Sequence, residues 1–276
     1  MSADTTPGTL YVVATPIGNL DDLTPRARDT LSRVDLIAAE DTRHTATLLR
    51  HFGIDTPCLS LHDHNEAARA EQLVARLRAG NDVALVSDAG TPLVSDPGFR
   101  LVRAVREAGI RVSPLPGACA AIAALSAAGL PSDRFVFEGF LPSKPAARRA
   151  RLKALATESR TLMFYESSHR IIEMLADAAD AFGDHRSAVL AREITKRFET
   201  LLDGSLSALH ERVVAERDQQ RGEFVVLVEG ATVDEDAALL EGRRLYELLS
   251  HELPPAKAAK LAAEFSGAPR KALYGG

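Results

Sequence analysis

The segment Ser87-Asp88-Ala89-Gly90-Thr91-Pro92 gathers two hydroxyls, a carboxylate and a run of backbone N–H groups in six residues. Gly90 and Pro92 would let a ligand come close to a loop that holds its shape. The apolar run Val83-Ala84-Leu85-Val86 leads into it, and Asp96-Pro97 beyond it has the pattern of a capped helix start. Ligands of open α/β sheets bind outside the carboxyl ends of the strands, so the loop is placed to hold one. An ordinary strand-to-helix connection is the alternative. Thr15-Pro16-Ile17-Gly18-Asn19 and Pro114-Leu115-Pro116-Gly117 end two other candidate strands and would share the same edge. None of these loops has the G-x-G-x-x-G or G-x-x-x-x-G-K-[ST] spacing that cradles phosphates. Glu40-Asp41 ends a further strand where a ribose-binding acid would stand, but without the accompanying glycines. The loops therefore suit a cofactor without phosphates, of which S-adenosyl-L-methionine is one.

Other clusters could act on a second molecule. Tyr165-Glu166-Ser167-Ser168-His169-Arg170 holds a carboxylate, an imidazole and a guanidinium close together. Glu166 and His169 could move a proton and Arg170 could clamp a phosphate, although a helix capped by Ser167 or Ser168 would explain half of the motif. Glu40-Asp41-Thr42-Arg43-His44 concentrates polar groups at a strand end, and Arg192-Glu193-Ile194-Thr195-Lys196-Arg197 reads as a charged turn. Lys144, Arg148, Arg149, Arg151 and Lys153 occur with no acid between Phe140 and Thr157, which suits either a solvated helix face or a phosphate tracker. His62-Asp63-His64 lacks a third ligand, so no metal is expected there. Cys58 and Cys119 stand alone and read as reduced small hydrophobes.

The elements that must position these groups come in two series. Short β-branched runs at Thr9 to Ala14, Leu36 to Ala39, Cys58 to Leu61, Val83 to Ser87 and Val112 to Leu115 alternate with helical patterns. This is the signature of a mostly parallel sheet. After Pro116-Gly117 an Ala-rich helix opens a second α/β series with more antiparallel character: strands at Phe135 to Gly139, Thr161 to Glu166, Ala188 to Arg192, Phe198 to Leu202 and Glu223 to Glu229, with helices at Ile171 to Phe182 and Leu206 to Arg217. From Ala231 the strands stop. Ala256 to Phe265 and Arg270 to Tyr274, joined across Ser266-Gly267-Ala268-Pro269, read as a helix-turn-helix or a plain helical hairpin. Domains are accordingly expected at 1–117 and 118–230, with a helical tail at 231–276.

The totals agree with a soluble globular protein: 276 residues, 46% hydrophobic, 26% charged, and mean hydropathy −0.06. No apolar run is long enough to span a membrane, and the first residues lack the regions of a signal peptide, so a cytoplasmic location is expected. A net charge of −5 excludes bulk coating of nucleic acid but leaves room for local basic patches. The stretch from Gly242 onward is one, with six Lys and Arg against three acids.

Taken in order, Leu10 to Leu20, Ala39-Glu40-Asp41-Thr42-Arg43, Leu85 to Pro92, Phe137-Glu138-Gly139-Phe140-Leu141-Pro142 and Phe164-Tyr165-Glu166-Ser167 resemble the tetrapyrrole (corrin and porphyrin) methylase superfamily. The closer likeness is to its branch that 2′-O-methylates a cytidine of small-subunit ribosomal RNA. The resemblance implies a two-domain α/β fold with S-adenosyl-L-methionine in the interdomain cleft, a small-subunit rRNA or ribosomal-subunit substrate, and a homodimer. Matched residue by residue, it implies cofactor contacts at Ile17, Asp88, Ala89, Gly90, Thr91, Pro92, Val94, Ala118, Cys119, Ala120 and Tyr165. The chain departs from the family where Pro116-Gly117-Ala118-Cys119-Ala120 replaces Pro-Gly-Pro-Ser-Ala, and where Ser168 replaces a proline. Methyl transfer is an in-line displacement in which the enzyme aligns the reactants and excludes water, while a base assists the weak hydroxyl nucleophile. Glu166 or His169 is expected as that base, with Arg43, Arg148, Arg149 and Arg170 on RNA phosphates. Two competing functions are methylation of a tetrapyrrole small molecule and a non-catalytic, ligand-sensing module that binds nucleic acid.

Overall fold

The computed structural model describes residues 6–62, 65–232 and 235–273. Its first half alternates strand and helix: β1 (Leu10–Val13), α1 (Pro25–Arg33), β2 (Leu36–Ala39), α2 (Thr42–His51), β3 (Cys58–Ser60), α3 (Glu66–Arg78), β4 (Val83–Val86), α4 (Phe99–Glu107) and β5 (Val112–Leu115). The strands form one sheet of order β3-β2-β4-β1-β5 with every pair parallel. The continuous apolar sequences of β2 and β4 follow from their burial on both faces. Leu36, Ala38 and Leu85 pack with Leu73, Leu77 and Leu101, whereas Ile37, Ala39 and Val86 pack with Leu31 and Leu49. The order reverses between β4 and β1, so the loops that follow these two strands emerge side by side.

The second half contains α5 (Ala120–Ala127), β6 (Phe135–Phe140), α6 (Pro145–Ala154), β7 (Thr161–Ser167), α7 (Ile171–Phe182), β8 (Ser187–Arg192), β9 (Thr200–Ser205), α8 (Leu206–Ala215) and β10 (Glu223–Val228). Its sheet has order β6-β7-β10-β8-β9; β6 and β7 are parallel and the remaining pairs antiparallel. Ala121, Ala124 and Leu125 of α5 cover Met163, Val189, Val225 and Leu227 on one face. Small alanines let this helix lie close to the sheet.

Both sheets belong to one compact unit, Met1–Leu155 with Thr161–Glu229; Ala156–Arg160 and Gly230–Gly276 form a second. In the second unit α9 (Glu235–Ser250), α10 (Pro255–Ser266) and α11 (Arg270–Leu273) follow one another. Gly267 ends α10 at φ 76°, with its N–H donating to the Ala263 carbonyl. Ala262, Ala268 and Leu273 close around the turn against Leu245 and Leu249 of α9. Tyr274 lies outside the described residues, as do Asp63 and His64 of the His62-Asp63-His64 segment. Among the described residues no helix is long and apolar enough to cross a membrane.

Two helix caps differ from expectation. Thr24 caps α1 ahead of Pro25, accepting from the Ala27 N–H at 3.2 Å. Asp96, however, does not cap α4, which begins at Phe99 after Gly98. The buried carboxylate of Glu66, reaching across from α3, accepts instead from the N–H groups of Arg100 (2.7 Å) and Leu101 (3.2 Å). These are the donors a capping side chain satisfies. Nor do Ser167 and Ser168 cap α7, whose N-cap is Arg170 with no side-chain hydrogen bond.

Candidate active site

The loops on the carboxyl edge of the first sheet are stitched together by their backbones. Thr15 and Gly90 exchange two hydrogen bonds, 2.9 and 3.0 Å, joining the loops after β1 and β4. The Thr91 hydroxyl donates to the Ala118 carbonyl at 3.0 Å, which ties in the loop after β5. The loop after β2 is bound through carboxylates: Asp88 accepts from the Asp41 N–H at 3.0 Å, and Glu40 accepts from the Asp88 N–H at 3.3 Å. Four strand ends are thereby fixed as one wall.

The facing wall is built by the second sheet and relies on side chains. Tyr165, near the end of β7, accepts from the Ala121 N–H at 3.2 Å and meets Phe137 and Phe140 edge-on, with ring centroids 4.9 and 5.6 Å away. Burial raises its phenol pKa, so it stays protonated. Glu166 is 2% exposed. Its Oε1 accepts from the Ser167 N–H at 2.9 Å, while Oε2 lies 3.2 Å from Arg170 Nη2 as a charge contact without hydrogen-bond geometry. Burial raises the pKa of this carboxyl as well. Arg170 Nη2 also donates to the carbonyls of Leu141 (2.9 Å) and Pro142 (3.2 Å), bracing the chain beyond β6.

The loop between β8 and β9 completes this wall. Lys196 Nζ lies 2.8 Å from Glu193 and 2.6 Å from Glu223. Its stem lies over Gly18 of the opposite wall, at φ 153°, where a Cβ would collide with it. A second close approach joins Gly139, at φ 64°, to Ser95, whose Oγ would be 2.7 Å from an added Cβ. Among the described residues, the four non-glycine positions with positive φ are Leu93, Ser95, Glu193 and Thr195, all in the two loops that face each other here. Strain of this kind concentrates where a ligand is held.

Between the walls lies a cleft of about 310 Å³, within the range of small-molecule sites. Ile17, Val94, Ala120, Ile194 and Val225 give it apolar surface, while Glu40, Asp88 and Asp96 make its first-sheet side acidic. Burial, with Glu40 and Asp88 nearby, pushes the Asp96 carboxyl up to about 6.

Ile17, Asp88, Ala89, Gly90, Thr91, Val94, Cys119, Ala120, Tyr165 and Glu166 all line the cleft. Pro92 and Ala118 do not; Pro92 is buried, and Ala118 contributes the carbonyl that fixes Thr91. His169 is exposed and outside the lining. The Arg43 side chain is 90% exposed and paired with Asp41 at 2.6 Å, which holds the Asp41 carboxyl well below its usual range.

The basic helix α6 divides. The side chain of Arg148 is 3% exposed and closed on Asp177 (2.6 Å) and Glu173 (3.1 Å), so it has no face to offer a phosphate and instead joins α6 to α7. Arg149 is more than half exposed. Sequence reasoning missed Asp96, Phe140, Glu193, Lys196 and Glu223 as cleft residues. The charged run at Arg192 to Arg197 was the available signal for Glu193 and Lys196.

Residues 9–210 match the family described as Tetrapyrrole (Corrin/Porphyrin) Methylases, and residues 236–275 match the RsmI C-terminal HTH domain. The chain is 63% identical over 271 residues to ribosomal RNA small subunit methyltransferase I of Xylella fastidiosa, covering 98% of this chain and 99% of that one. It is 55% identical to the protein of the same name from Escherichia coli O157:H7, covering 99% and 96%. Among solved structures it resembles uroporphyrin-III C-methyl transferase from Thermus thermophilus complexed with S-adenyl homocysteine, at TM-score 0.55 and 18% identity over 80% of this chain and 97% of that one. The last likeness speaks to the fold alone.

Proposed function

We infer the function from the premise that this chain belongs to the tetrapyrrole (corrin/porphyrin) methylases, in the branch of ribosomal RNA small subunit methyltransferase I: it is an S-adenosylmethionine-dependent methyltransferase of small-subunit rRNA. We propose further that the acceptor is a cytidine 2′-hydroxyl. The observation that carries the reading is a cleft with an acidic side and apolar walls on the carboxyl edge of a parallel sheet.

The donor set suits the methyl donor. S-adenosylmethionine carries a positive sulfonium and, when bound, supplies an electrophilic methyl group. Glu40 and Asp88 provide compensating charge, and Ile17, Val94 and Ile194 provide apolar contact. The backbone of Asp88 to Thr91 sets the depth of approach, with Pro92 and Ala118 as its support. A ligand rich in phosphate would meet carboxylates where it needs cations.

The acceptor enters from the other wall. Phe140, 57% exposed yet lining the cleft, offers a ring on which a base can stack. Exposed Arg43 and Arg149 lie free of deep burial and can engage backbone phosphates. Arg170, tied to two carbonyls, acts mainly through the loop it braces. The expected division at 117/118, a homodimer and a cytoplasmic location belong to the same proposal. The helix-turn-helix unit, with exposed Lys257, Lys260, Arg270 and Lys271, would add electrostatic hold on RNA.

The test is nucleoside analysis of small-subunit rRNA after transfer of a labelled methyl group. Label in 2′-O-methylcytidine is expected; label confined to a base would overturn the choice of acceptor atom.

A further inference from the structure

Asp96 is a helix-capping residue by pattern that does not cap. Glu66 satisfies the amides at the start of α4, and Asp96, preceded by the positive-φ Ser95, lines the cleft. Of the other candidate proton acceptors one lies outside the cleft, and the other lines it but faces a cation. His169 is exposed outside the cleft, and Glu166 is engaged by the Ser167 N–H and Arg170.

We propose, resting on the methyltransferase reading above, that Asp96 is the general base of the reaction, receiving on its carboxylate the proton of the acceptor hydroxyl. As the acceptor oxygen bonds to the methyl carbon, the carbon–sulfur bond breaks and sulfur keeps the electron pair. The proton then passes from Asp96 to solvent.

Its surroundings tune Asp96 for this work. Glu40 and Asp88 face it from the ends of β2 and β4, and Tyr165 faces it from β7. Cys119, Glu166, Glu193, Lys196 and Glu223 occupy the rest of the cleft. Burial and the two acids hold the carboxyl at about 6, so it is ionised at neutral pH yet basic enough to accept a proton.

The test is single-turnover methyl transfer to small ribosomal subunits between pH 5 and 8.5 for wild type, Asp96→Asn and Asp96→Glu. Binding of S-adenosylhomocysteine and of rRNA is measured alongside by calorimetry. The wild-type rate is expected to rise about tenfold per pH unit up to about pH 6 and then level off. Asp96→Asn should lose about 100-fold or more in rate and lose the pH-dependent limb, with both binding constants within about threefold of wild type. Asp96→Glu should recover part of the rate with its limb displaced, which separates a missing base from a damaged fold. An unchanged rate in Asp96→Asn overturns the proposal, as does a loss fully matched by weaker S-adenosylhomocysteine binding. If wild type transfers nothing to the subunit at any pH, the parent reading fails with it; transfer by wild type and Asp96→Asn alike removes Asp96 alone.

Discussion

The two walls of the cleft achieve order by different means. In the parallel sheet every strand ends at the same edge, so the wall is made of backbone: Thr15 against Gly90, and Thr91 against Ala118. The mixed sheet brings the end of β7 beside the start of β10, pairing Ser167 with Glu223, and sets the β8–β9 loop next to them. That wall is held by Glu166 with Arg170 and by Lys196 with Glu193 and Glu223. A backbone wall fixes where a donor sits, whereas a side-chain wall can differ in charge and reach to suit an acceptor.

The largest effect should come from the deepest side-chain tie behind the second wall. Arg148→Ala leaves Asp177, 13% exposed, without its 2.6 Å partner. A loss of about 3–5 kcal/mol of stability is expected in denaturant melts. A loss below about 1 kcal/mol would mean that the pair is not what joins α6 to α7. The neighbouring Arg149→Ala, which gives up only a longer 3.7 Å contact to the same carboxylate, should cost less than about 1 kcal/mol and lower the salt dependence of rRNA binding by about one phosphate contact. Identical behaviour of the two variants would erase the division of the helix.

On the backbone wall, Gly90→Val places a branched residue at φ 81°, with its Cβ 3.2 Å from the Ile17 side chain. The left-handed conformation costs about 1–2 kcal/mol of stability, and displacement of the loop against cleft-lining Ile17 should lower S-adenosylhomocysteine affinity roughly tenfold. Removing the Lys196 amine by Lys196→Met should affect that affinity less. The reverse order in calorimetry would show that side chains, not backbone, hold the donor.

The smallest effect concerns stability at Asp96. Its folded pKa is raised from 3.8 to about 6, so the folded state binds the proton more tightly and loses stability as pH rises through that window. Asp96→Asn should therefore be more stable than wild type above about pH 6, with the difference vanishing below about pH 4. Equal melts at pH 5 and pH 8 would contradict the shift.

The same contrast explains what the sequence disclosed. Each strand of the parallel sheet announces its loop, so Ile17, Asp88 to Thr91 and the segment after Pro116 were legible as one edge. The antiparallel wall depends on register, and nothing local to Glu223 says that it meets Ser167 and Lys196. Asp96 was misread because Asp-Pro is a sound capping pattern and the competing carboxylate, Glu66, lies thirty positions upstream on another helix. Arg148 and Arg149 are adjacent in a basic run, and only helical phase separates the buried one from the exposed one.

The most direct test offers labelled S-adenosylmethionine with small ribosomal subunits, naked rRNA and a porphyrinogen in parallel. Label is predicted in ribosomal RNA, as particle or free strand, and not in the porphyrinogen. Label appearing only in the porphyrinogen would contradict the account.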